Sequence, residues 1–102
     1  MVLKNYKVTT MTEDKEIQGV KVRVGDFVKL DFQGDIYYLY VKKIIDRGIR
    51  AYFRGTEKEA RKYKETSEEG DGTAYYTGIR SVEIIEPITI TNWRGILNEK
   101  EI

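Results

Sequence analysis

Apolar and polar residues alternate along much of this chain. In "GVKVRV", Val20, Val22 and Val24 fall on one face, with Lys21 and Arg23 on the other; "DFVKLDF" repeats the pattern with Val28, Leu30 and Phe32. Period-two alternation predicts half-buried strands, because successive side chains of an extended chain point to opposite faces. Gly25-Asp26 separates the two runs. Gly34-Asp35 then turns the chain into "IYYLYVKKII", which is apolar on both faces and reads as a central strand or a strongly bent one. Arg47-Gly48 is a tight-turn signal leading into "IRAYFR". Residues 20 to 54 thus predict a meander of three or four short strands.

After Gly55 the pattern changes. Thr56 followed by Glu59 fits a capping box, in which a hydroxyl and a carboxylate satisfy free backbone amides at a helix start, and predicts a short polar helix over Glu57 to Lys64. "ETSEEGDGT" has no apolar residue to bury and reads as a flexible acidic loop. "AYYT" and "SVEII" read as two further strands, with Pro87 ending the second or marking an edge and one of Tyr75 and Tyr76 exposed. "ITI" adds a short strand, and "NWRGILNEKEI" brings Trp93, Ile96 and Leu97 at helix-like spacing as a docking segment or tail.

Composition supports the pattern. Val and Ile number 20 against 4 Leu, and side chains branched at Cβ suit a pleated surface better than a helix. In 102 residues the chain has room for one core. The expected architecture is mostly β: a small SH3-like barrel of five to six short antiparallel strands with one short polar helix and a C-terminal tail. A five-stranded OB-like barrel is the alternative. Residues 1–91 are expected to form the barrel domain and 92–102 the tail or docking segment. Frequent Lys, Glu and Arg, with no Cys or His, make the composition thermophile-like.

The quoted runs resemble BAH and Tudor-type domains, which are elaborated SH3-like barrels. The BAH pattern of a "VGDfV" strand start, a "yvakI" strand and an aromatic "wfyRpeet" segment is similar to Val24-Gly25-Asp26-Phe27-Val28, Tyr40-Val41-Lys42-Lys43-Ile44 and Ala51-Tyr52-Phe53-Arg54-Gly55-Thr56-Glu57. About half the chain is covered, and Gly55 stands where the family has proline. The resemblance implies a reader or binding module in chromatin or nucleic-acid processes, without catalysis. No methyl-lysine cage motif is present to carry over.

Charge sharpens the functional question. The net charge is +1, yet between Lys42 and Lys64 nine basic residues face three acidic ones, while the rest of the chain holds 9 and 14. Such asymmetry points toward an anionic partner for one face. If "IRAYFR" is a strand, Ile49, Ala51 and Phe53 face inward and Arg50, Tyr52 and Arg54 stand together outside. Guanidiniums beside a ring suit phosphates and a stacked base. Lys42, Lys43, Arg47, Arg61 and Lys62 complete the candidate nucleic-acid-binding set. The plainer interpretation of the same residues is a solvated strand face and a helix whose charges pair internally.

Tyr37, Tyr38 and Tyr40 offer an alternative aromatic pocket for a peptide or methylated lysine, weighed against ordinary packing. The run Glu65, Glu68, Glu69 and Asp71 lacks EF-hand spacing and reads as a solvated loop, or as an electrostatic screen, before it reads as a calcium site. Without Cys, His, a Gly-rich phosphate loop or a paired catalytic motif, no enzyme, metal or cofactor is expected. The opening "MVLKNYKVTT" has no signal h-region and no apolar run is long enough for a membrane span, so a cytoplasmic protein is expected. The expected partner is nucleic acid, with DNA ahead of RNA. The alternative is a protein, with the chain acting as a peptide or methyl-lysine reader through a sheet edge or the tyrosine pocket, or as a viral inhibitor that docks on a host complex; oligomeric state is not legible.

Overall fold

The structure is a computed structural model and describes residues 13–88. The chain is mostly β, with eight short strands in three antiparallel sheets and one α-helix among the described residues. Strands β1 (Asp14–Ile17) and β2 (Val20–Arg23) form a hairpin. A second sheet has the order β4 (Asp35–Tyr40), β3 (Phe27–Phe32), β8 (Ile79–Glu86). The third has the order β5 (Lys43–Ile45), β6 (Gly48–Ala51), β7 (Gly72–Tyr75). The Trp93 segment and the tail lie outside the described residues, and of the "ITI" run only Ile88 lies within them.

Local chemistry explains the hairpins. Gln18-Gly19 and Gln33-Gly34 all have positive φ, the requirement of two-residue turns whose twist matches the flanking strands. The second turn therefore sits one residue before the Gly34-Asp35 pair that the sequence suggested, with Phe32 opposite Asp35. The meander contains five strands between residues 20 and 51 rather than three or four, and β1 precedes them.

The "IYYLYVKKII" run is the bent strand of the two possibilities, and β3 is central instead. The chain leaves β4 at Val41-Lys42, where Val41 N donates to Asp26 O (2.9 Å) and Lys42 N to Arg50 O (3.1 Å), and then starts β5 in another sheet. Its two apolar faces serve two cores. Leu39 joins the main cluster with Val22, Val28, Leu30, Val41, Ile49, Ala51 and Val82, whereas Tyr40 packs with Phe27 and Ala60 on the opposite face.

That second cluster is covered by α1 (Glu57–Arg61). Thr56 caps it by accepting from Glu59 N at 3.2 Å, the hydroxyl half of the expected box, while the Glu59 carboxylate faces Lys62 Nζ at 3.7 Å. The helix ends at Arg61 rather than Lys64. Lys62 N, Tyr63 N and Lys64 N bond back three residues, tightening the chain into turns.

Barrel closure is not seen among the described residues. Among the described residues an isolated bridge pairs Tyr38 of β4 with Arg54, which lies beyond the end of β6, in place of a continuous ladder between the second and third sheets. Register shifts in the β3–β8 pairing at Phe27/Val28 and Asp31/Phe32 bend the central strand over the core without carrying the ladder around it. No helix among the described residues is long and apolar enough to cross a membrane.

Candidate functional site

The alternation in "IRAYFR" is present. Ile49 and Ala51 are fully buried, Phe53 packs half-buried on the main cluster, and Arg50, Tyr52 and Arg54 emerge on the outer side. The strand ends at Ala51, and Arg54 extends the row through its backbone bridge to Tyr38, with N–H···O distances of 2.7 and 3.1 Å.

The acidic segment lies across this row. Glu69 bridges Lys43 Nζ and Arg50 Nε, each at 3.0 Å, and Arg50 Nη1 donates to Thr73 Oγ1 at 2.8 Å. The Tyr52 hydroxyl donates to the Glu68 carboxylate. Arg54 Nη1 donates to Asp71 Oδ2 and Nη2 to Tyr63 Oη, both at 2.9 Å. Lys42 Nζ reaches the carbonyls of Lys64 (3.1 Å) and Thr66 (2.9 Å).

The segment is therefore a clasped loop, where the sequence predicted a free one. The clasp is seated by backbone too: Asp71 N donates to Ala51 O at 3.0 Å, and Gly70 at φ +127° lies so close to Ala51 that a Cβ there would overlap its carbonyl.

Two rings stack beneath the clasp. Tyr52 and Tyr63 have centroids 4.4 Å apart and planes 15° from parallel, and the Arg54 guanidinium lies 4.6 Å from the Tyr63 centroid. Nothing in the sequence singled out Tyr63.

The charges respond to this arrangement. Lys43 and then Arg50 hold the Glu69 carboxyl below its usual range, the hydrogen bond to Glu68 raises the Tyr52 phenol, and burial lowers the Lys42 ammonium.

The eight sequence-predicted residues do not form one surface. Lys43, Arg50, Tyr52 and Arg54 stand together under the loop, with Lys42 tying the loop's carbonyls. Arg61 points away: its guanidinium lies 4.3 Å from the Phe27 centroid and donates to Glu86 Oε1 at 2.9 Å, closing the second core. Lys62 pairs with Glu59 on its own turn, and Arg47 sits exposed between β5 and β6. The internally paired helix is what the plainer interpretation expected.

The tyrosine trio does not converge. Tyr40 is buried 4.6 Å from Phe27 and Tyr38 packs beside it, whereas Tyr37 lies on the main-core face, edge-on to Phe53 at 5.9 Å. Alternation places them there, since neighbours in one strand cannot share a face. Tyr75 is the exposed member of its pair, and Tyr76 Oη donates to Ile45 O at 2.8 Å.

Among the described residues no three acidic side chains gather around one point; Glu68, Glu69 and Asp71 each meet a different partner.

No family model matches this chain, and no curated protein or solved structure matches it.

Proposed function

We propose that this chain is a non-catalytic nucleic-acid-binding module, of chromatin or mobile-element type, whose contact face is Lys43, Arg50, Tyr52 and Arg54 with Lys42 beside them. One observation carries the proposal: two carboxylates from the chain itself are docked on this face, Glu69 on Lys43 and Arg50 and Asp71 on Arg54. They mark two positions at which the face holds an anion through paired or ring-backed cations. The guanidinium fork and tyrosine rings are the groups that grip phosphate and base.

The loop's hold is displaceable. Its ion pairs are solvent-exposed, with the Glu69 and Asp71 side chains 48% and 49% accessible, so salt screens them and each contributes little. A polynucleotide presents many phosphates and gains from releasing its counterions. The resemblance to BAH and Tudor-type domains points the same way, toward binding without catalysis.

The test is fluorescence anisotropy with short single-stranded DNA, duplex DNA and RNA at about 50 and 200 mM salt. Wild type is expected to bind and to weaken as salt rises. A folded Arg50→Ala/Arg54→Ala variant should lose about tenfold or more in affinity and show a shallower salt slope. Absence of binding to all three probes at the lower salt sinks the proposal.

A further inference from the structure

Beside the clasped face lies a hollow of about 310 Å³ that neither the ion pairs nor the core absorbs. Its walls are the rings of Phe32, Tyr37 and Phe53, all half-buried against the main cluster, and its rim carries Arg54, Asp71 and Thr73. Resting on the nucleic-acid reading above, we propose that this hollow seats one unstacked base of a single strand, with the flanking phosphates on Arg50 and Arg54.

Shape and chemistry both lead there. The volume is at the lower end of the roughly 300–1,000 Å³ of small-ligand sites, suited to one planar group. Tyr37 and Phe53 meet at 77°, so a planar group lying flat against either ring stands nearly perpendicular to the other, and both offset-stacked and edge-to-face arrangements are favoured by aromatic quadrupoles.

A polar group of the lining suits a base edge: the Thr73 hydroxyl both donates and accepts. Thr73 accepts from Arg50 at 2.8 Å, and Arg54 itself lines the hollow, which puts base seat and phosphate grip side by side.

Gly72 keeps the seat open. A Cβ at this position would lie 3.5 Å from the Phe53 ring, so any larger side chain grows into the space beside that ring. Its φ is not positive and it pairs with Ala51 in an ordinary ladder, so a β-branched residue fits the backbone. Gly72→Val therefore fills the hollow while leaving the strand intact.

A duplex hides its bases in the stack, so the proposal requires preference for single strands. The experiment compares an oligo-dT of about 12 nucleotides with a duplex of the same length. Both are titrated onto wild type, Gly72→Val, Phe53→Leu and Arg50→Ala/Arg54→Ala, each checked for native circular dichroism. Wild type should bind the single strand about tenfold tighter than the duplex, and Gly72→Val should lose about tenfold on the single strand with its salt slope unchanged.

The arginine variant should lose both affinity and slope. Equal binding of duplex and single strand, with no effect of Gly72→Val or Phe53→Leu, overturns the base seat and leaves the nucleic-acid reading standing. Absence of all binding overturns both. A trimethyl-lysine peptide that shifts the Tyr37 and Phe53 ring resonances where oligo-dT does not would also overturn the base seat, assigning the hollow to a peptide.

Discussion

Arg54 and Asp71 are joined at 2.9 Å across the face that the sequence marks as basic, and the same guanidinium holds Tyr63 Oη at 2.9 Å. The residues that look most like ligand-binding groups thus also keep the acidic loop in place. In the proposed function, the loop's carboxylates compete with phosphate for the same cations. Glu69→Gln and Asp71→Asn should therefore raise affinity for a polyanion at low salt, by about threefold to tenfold together, and steepen its salt dependence. Titration of the double variant beside wild type checks this, and unchanged affinity would detach the loop from the binding face.

Acid should loosen the clasp and so should alkali. Glu69 has a folded-state value depressed by Lys43 and Arg50, so its contribution is present above the unfolded carboxylate value of about 4.3 and is lost as pH falls through the lower folded one. The Tyr52 phenol is raised by Glu68, so its contribution is present below about pH 10 and is lost as pH rises through the folded value. Amide resonances of residues 65–71 should hold steady across neutral pH and move at both extremes. A Glu69 carboxyl titrating at the ordinary value would mean that the clasp does not persist in solution.

Asp26 should be the most sensitive acidic position in the described fold. It is 3% exposed, and its carboxylate accepts from Arg23 N at 2.9 Å and from Ile88 N at 2.8 Å, while its own carbonyl accepts from Val41 N. It joins the β2–β3 turn to the bend after β4 and to the chain beyond β8. Asp26→Ala leaves two amides without a partner and should cost about 3 kcal/mol in urea unfolding. A loss below about 1 kcal/mol would show that water replaces the carboxylate.

Gly70 tests the loop's seat without touching charge. At φ +127°, and pressed on the Ala51 carbonyl, it tolerates no side chain. Gly70→Ala should cost about 1–3 kcal/mol and raise hydrogen exchange at Asp71 N, while the exchange of core amides in β3 stays unchanged relative to global unfolding. Protection of Asp71 N equal to wild type would contradict the packing.

Much of the fold was legible from alternation alone. Val22, Val28, Leu30, Ile49 and Ala51 occupy the inward positions that period two assigns, Thr56 caps the helix, and Pro87 follows β8, because backbone geometry sets these features locally. What the tertiary structure decided are the pairings at long separation. Whether Tyr37, Tyr38 and Tyr40 form one pocket depends on which layers cover the two faces of β4, and α1 covering Phe27 and Tyr40 divides them.

The basic run from 42 to 64 contains nine cations and three anions, but four acids follow by residue 71, and strand order brings them back over the cations. Charge balance within a window could not show this, since a Coulomb interaction depends on distance in space rather than along the chain. Alternation and composition specify a β-rich chain with one charged strand face. What lies across that face is set by long-range pairing, because the loop's return is seated by contacts that exist only once β6 and β7 have paired.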